Sequence, residues 1–153
     1  MGTSIPEPDS RRGKGAGKQI LVVDHNPTVG RVVAESLAAL GYVAIHCPTA
    51  DEALDYCRTG MIDGVLAEVG LVTDGGRSFG AVLSEDYPAV PVAVLTAWLD
   101  HPETRYIDQR GVRMVLRKPI RLDRLELAMR ALLDGFRARQ TASTSGLSQK
   151  GLA

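Results

Sequence analysis

Residues 19–26 read QILVVDHN, and this octapeptide decides the fold. Four apolar residues, three of them β-branched, run without interruption into Asp24, His25 and Asn26. A strand with one wet face would alternate. A short continuous apolar run fits a strand buried on both faces, as in a parallel sheet covered by helices. In such open α/β sheets, sites form outside the carboxyl ends of the strands, near the switch in strand order. The polar triplet after Val23 is therefore the first place to look for chemistry.

Outward from this strand, the chain repeats one pattern. Asn26 can cap a helix with Pro27 at its first position, where a missing N–H costs nothing. Val29, Val32, Val33, Leu37 and Leu40 recur at helical spacing, and Gly41 ends the helix. Tyr42–Cys47 reads as a second strand. Thr49 can cap a helix from Ala50 to Arg58, with Glu52 completing a capping box. Ile62–Val69 contains a third strand, interrupted by Asp63 and Gly64. Ser78–Asp86 reads as a helix, Val90–Thr96 as a buried strand, Asp100–Gln109 as a helix and Val112–Arg117 as a fifth strand. Leu122, Leu125, Met129, Leu132 and Phe136 make the last helix amphipathic. Five βα units in sequence imply a parallel sheet, helices on both faces and right-handed crossovers.

Composition sets the outer limits. The 153 residues suit one domain with tails: 1–17 and 138–153 read as disordered, and 18–137 as folded. Aromatics are only 5% of the chain, so the core is expected to be aliphatic. The formal net charge is zero, yet residues 19–134 hold 16 acids against 11 bases, a balance of −5, and the ends are basic. An acidic folded part argues against a nucleic-acid-binding domain. The two cysteines, Cys47 and Cys57, make no disulfide framework and read as buried thiols in a reduced, cytoplasmic setting. No apolar run is long enough to span a membrane, and the N-terminus has no apolar signal core. GKGAGK at Gly13–Lys18 is one residue short of a phosphate-binding loop, precedes the strand and has no Ser or Thr after its lysine.

The strand ends carry Asp24 and His25, then Glu68, then Thr96, then Lys118–Pro119. The series ILVVDHN, Asp63 to Glu68, Gly76, PVAVLTA and RKP resembles the receiver domain of bacterial response regulators over about residues 19–135. The resemblance implies a doubly wound (βα)₅ fold with strand order 2-1-3-4-5. It also implies an acidic Mg²⁺ pair after the first strand, matched by Asp24 and His25. The phosphoacceptor position falls on Glu68, the switch hydroxyl on Thr96, the phosphate-contacting lysine on Lys118, and a cis proline on Pro119.

Two of these matches depart from the family pattern. His25 stands where the second acid is usual, and Glu68 where the acceptor is Asp. Val115 also replaces the usual switch aromatic, and the GLVTDGG loop lacks the usual Met-Pro. Mg²⁺ demands oxygen ligands in near-octahedral geometry, so its binding is expected to be weak or absent, and no other cofactor is expected. Glu68 carries its carboxylate one methylene further out, roughly 1.5 Å. About 1 Å of misplacement can lower a rate about a hundredfold. Glu68 can instead partly mimic a phosphoryl group by pairing with Lys118 and favouring an active-like state, or the receiver is frozen or repurposed.

The expected function is a stand-alone pseudo-receiver. It signals by protein contact, without enzyme activity, since residues 140–153 are too few for an output domain. Its partners would be a histidine kinase, a phosphotransfer protein, a downstream target or a second copy. They would dock on the face of the fourth predicted helix, fifth strand and last helix, where Arg121, Arg124, Arg130, Arg137 and Arg139 lie. Two alternatives differ in class: a working phosphoacceptor with an altered site, and a small metal-binding protein of flavodoxin-like fold. For the latter, Asp24, His25 and Glu68 are candidate ligands, though a hydrogen-bonded polar cluster is the simpler reading. His46 and His101 read as a strand-end and a helix-start residue. Trp98 would either anchor a partner or pack on Tyr106.

Overall fold

The computed structural model describes residue 15, residues 17–97 and residues 112–135. Strand β1 (Gln19–Val23) lies between β2 (Val43–Cys47) and β3 (Gly64–Glu68), followed by β4 (Val92–Thr96) and β5 (Val112–Arg117). All four pairings are parallel, in the order β2-β1-β3-β4-β5. The helices are α1 (Pro27–Ala39), α2 (Ala50–Cys57), α3 (Phe79–Asp86) and α4 (residues 122–135). The predicted helix Asp100–Gln109, with Trp98, His101 and Tyr106, lies outside the described residues, as do residues 1–14, 16 and 136–153.

The period of two along β1 divides the core between two layers. Ile20 and Val22 pack with Val33 and Leu37 of α1 and with Leu125, Met129, Leu132 and Leu133 of α4. Leu21 and Val23 face the opposite side, with Ala53 and Leu54 of α2 and Phe79, Val82 and Leu83 of α3. Because both faces are covered, β1 is apolar at each of its four buried positions, 20–23. Truncating a fully buried residue such as Leu37 to Ala should cost about 2–5 kcal/mol. Cys47 and Cys57 are free and buried, and burial pushes their thiols up to about 12 and about 11.

The caps follow their chemistry. The Asn26 side chain accepts from the N–H groups of Thr28 and Val29. The Thr49 hydroxyl accepts from Glu52 N–H at 3.2 Å. Gly41 adopts φ 93°, a left-handed conformation that closes α1. Val32 departs from the predicted stripe and is 57% exposed. It lies about 100° around the helix from Val33, off the face set by Val33 and Leu37. Leu122, in the first turn of α4, is also exposed. Gly15 and Gly17 donate to the carbonyls of Leu40 and Gly41, which ties the chain ahead of β1 to the α1–β2 turn.

Register then decides which residues meet at the carboxyl edge. Val23 pairs with Ala67, so Asp24 follows beside Glu68. Thr96 pairs with Arg117, so Lys118 follows beside Thr96. The start of β1 is clasped at the other edge by Asp63, whose carboxylate accepts from Gln19 N–H at 2.8 Å.

Candidate functional site

Asp24 is the buried centre of the strand-end cluster, only 3% exposed. A carboxylate at that depth needs partners; each of its two oxygens receives a donor, and a third donor holds the Asp24 backbone carbonyl. Asn26 N–H donates to Oδ1 at 2.8 Å, a bond local to the β1–α1 turn. Lys118 Nζ donates to Oδ2 at 2.6 Å from beyond β5. His46 of β2 donates through Nε2 to the Asp24 carbonyl oxygen at 2.9 Å, which assigns the Nε2–H form of that ring. The lysine backbone is held in turn, with Lys118 N–H donating to Thr96 O at 2.8 Å. Thr96 is buried at the end of β4, and the Lys118–Pro119 peptide is cis.

The second half of the cluster is more exposed. His25 Nδ1 hydrogen-bonds Glu68 Oε2, and the same oxygen accepts from His25 N–H at 3.3 Å. The hydrogen bond to Glu68 is the main cause that raises the His25 pKa above 6.5, and the charge of that carboxylate is the second. His25 Nδ1 also lies 3.9 Å from Asp24 Oδ1. The register thus brings Asp24, His25, Glu68, Thr96 and Lys118 to one edge, as two hydrogen-bonded acid–base pairs side by side. Lys118 pairs with Asp24, and Glu68 pairs with His25. The expected Glu68–Lys118 pairing is replaced by this exchange, because the imidazole next to Asp24 is within reach of the longer carboxylate.

This donor set does not fit Mg²⁺. One of its three nearby donors is an imidazole nitrogen, where Mg²⁺ takes oxygen.

Sequence reading missed the support beneath Asp24. A Cβ added to Gly30 would lie 2.2 Å from His46 Nε2, so the glycine in α1 is the seat of the His46 ring. The available signal was the glycine itself, which costs a helix interior about 1 kcal/mol relative to Ala. Lys118 also borders an open cleft of about 410 Å³ between α1 and the β5–α4 connection, with Val29, Val32, Ile120 and Leu125 in its walls.

Comparison with known proteins adds the following. A family model described as the response regulator receiver domain matches residues 20–130. The sensor histidine kinase RcsC of Salmonella typhi is 29% identical over 129 residues, which cover 82% of this chain and 13% of that protein. The transcriptional regulatory protein GlrR of Escherichia coli is 26% identical over 110 residues, 72% of this chain and 25% of that protein. The chain therefore spans only a small part of these curated relatives. Among solved structures, the signal receiver domain of an HD domain-containing protein from Pseudomonas fluorescens matches with TM-score 0.72 and 23% identity, covering 82% of this chain and 93% of that one. A response regulator from Thermotoga maritima matches with TM-score 0.67 and 25% identity, over 77% and 98%.

Proposed function

Because the chain belongs to the response regulator receiver family, we propose that it is a pseudo-receiver, a two-component signalling module that works by protein contact without phosphorylation at Glu68. One observation carries this reading: the Glu68 carboxylate is held by both the ring and the backbone N–H of His25. A phosphoacceptor must present a free oxygen in line with the incoming phosphorus, and small misplacements are heavily penalised. Glu68 is longer than an Asp, turned towards His25, and lacks an adjacent donor set suited to Mg²⁺. The buried half of the receiver site persists in Asp24, Thr96 and Lys118. In this reading it serves the fold and the shape of the signalling surface.

The partner is a histidine kinase, a phosphotransfer protein, a downstream target or a second copy of the chain. Two surfaces support protein docking. Leu127 is 61% exposed on α4, close in sequence to Arg124 and Arg130. The apolar cleft beside Lys118 offers a second place to bury side chains. A monomeric mass up to high micromolar concentration would remove the second copy from that set. No helix among the described residues is long and apolar enough to cross a membrane.

Phosphodonor labelling tests the central claim. The chain is incubated with acetyl phosphate, with and without Mg²⁺, and its intact mass is measured. No adduct is expected. The double variant His25→Asp with Glu68→Asp, which rebuilds the usual acids, should gain Mg²⁺-dependent labelling. Robust Mg²⁺-dependent labelling of the unaltered chain that disappears in Glu68→Gln would show a working receiver instead.

A further inference from the structure

We propose that the cleft between α1 and the β5–α4 connection binds a small, uncharged, ring-shaped apolar molecule that carries one acceptor oxygen. The proposal goes beyond the pseudo-receiver reading and does not depend on it. Phosphodonor labelling reads covalent phosphate, whereas ligand titration reads occupancy of the cleft.

Three parts of the fold shape this cleft. One wall is α1, the opposite wall is the chain from Lys118 to Ile120, and the end of β4 lies between them. Val33, Leu95 and Leu125 line it as members of the buried core, so packing fixes its floor. Thr28 and Ser36 lie eight residues apart on the α1 wall, which makes the cleft about 12 Å long. A cavity of about 150 Å³ is enough for benzene. At about 410 Å³ the cleft has room for a two-ring molecule. It also falls within the range of about 300–1,000 Å³ usual for small-molecule sites. A single aliphatic side chain from a partner protein would leave most of it empty.

Chemistry then limits the occupant. Val29, Val32, Pro119 and Ile120 give the walls an apolar surface. The Ser36 hydroxyl is already used, donating to Val32 O at 2.9 Å. Lys118 gives one of its three N–H bonds to Asp24 at 2.6 Å and keeps two. The Thr28 hydroxyl has no partner among the described residues. Thr28 stands in the first turn of α1 and Lys118 just past β5, so both donors sit at the carboxyl-edge end of the cleft. An acceptor oxygen on the ligand satisfies them. The charge of Lys118 is already matched by Asp24, and an anion would meet that carboxylate directly behind the lysine. A neutral carbonyl accepts the same N–H bonds without the repulsion. A rigid ring also loses less freedom on binding than a flexible chain of the same size. The wall from Lys118 to Ile120 leads into α4, where Leu127 is exposed. A bound molecule is thus placed to bias the proposed docking surface.

The test follows the methyl resonances of the full chain by NMR while 2-acetylnaphthalene is titrated at neutral pH. Naphthalene and 2-naphthoate are the oxygen-free and charged comparators. Saturable shifts are expected at Val29, Val32, Ile120 and Leu125, with a Kd of about 0.1 mM for a ligand of roughly a dozen non-hydrogen atoms. Both comparators should bind at least about threefold more weakly. Val32→Glu puts a charge on the exposed rim and should weaken binding of the ketone by about fivefold or more, with its fold intact by circular dichroism. Thr28→Val should bring the ketone towards naphthalene in affinity. Absence of saturable shifts at these methyls, binding unchanged in Val32→Glu, or 2-naphthoate as the tightest ligand would each overturn the proposal. So would movement of the same methyls on dilution of the free chain, which would show a second copy filling the cleft.

Discussion

The two acid–base pairs at the strand ends are neighbours in space and differ in how far solvent reaches the basic partner. Asp24–Lys118 is buried, with side-chain exposures of 5% and 18%. His25–Glu68 sits above it: Glu68 is as buried as Lys118, at 18%, but His25 is 73% exposed. A buried carboxylate that loses its cation becomes an uncompensated charge in a medium that solvates it poorly. A surface pair that is broken is rehydrated at little cost. The receiver pattern persists where the fold depends on the charges and departs where solvent can absorb the change. Splitting the Asp24–Lys118 pair would cost stability whether or not phosphoryl transfer occurs, so the presence of both residues does not by itself argue for that reaction.

The largest effect should come from splitting the buried pair. Lys118→Met leaves Asp24 with Asn26 N–H and no cation, and should destabilise the chain by about 2–4 kcal/mol in urea denaturation. Adding Asp24→Asn should recover most of that loss, because the buried charge is then gone. If Lys118→Met shifts the midpoint no more than His25→Ala does, the distinction between the two pairs fails.

A smaller effect is expected one layer down. Gly30→Ala drives a methyl group into the His46 ring and displaces it from the Asp24 carbonyl. Overpacking of this kind costs about 1–3 kcal/mol, offset by about 1 kcal/mol of better helix propensity. Net destabilisation of up to about 2 kcal/mol should appear in thermal or urea unfolding. It should largely disappear when His46→Ala makes room. A neutral Gly30→Ala would mean that the ring moves freely and that Asp24 needs no support from β2.

Much of this architecture was legible in the sequence because each part has a local cause. ILVV at 20–23 is apolar at successive positions since β1 is covered on both faces, and Asn26–Pro27 marks the start of α1 by capping chemistry alone. The identities at the site were legible too, since strand ends are where side chains of a parallel sheet converge. Which cation meets which carboxylate was not. That pairing depends on the β1–β3 and β4–β5 registers and on one methylene in Glu68, none of which has a local signature. Val32 shows the same limit on a smaller scale: an apolar residue one step off the buried stripe reads as core until the helix is placed. The seat of His46 on Gly30 joins residues sixteen apart across two elements, and only packing reveals it.

The smallest effect belongs to the exposed pair, and its sign is fixed by linkage. The hydrogen bond and charge of Glu68 raise the His25 pKa above 6.5 in the folded chain. A group that binds its proton more tightly when folded contributes stability that is complete below its unfolded pKa. That contribution is lost as pH rises through the folded pKa. The wild type should therefore be slightly more stable than Glu68→Gln below about pH 6.5, and the two should converge in alkaline buffer. NMR titration of the His25 ring, with a chelator present to keep metals out, measures the cause directly: a pKa above 6.5 in the wild type, falling back towards it in Glu68→Gln. Because His25 is solvated, the stability difference should be far smaller than that of Lys118→Met and should shrink further in high salt. A His25 pKa at or below 6.5 in the wild type would mean that the imidazole is not paired with Glu68 in solution. The carboxylate would then be free at the phosphoacceptor position, and the observation that carries the pseudo-receiver reading would be lost.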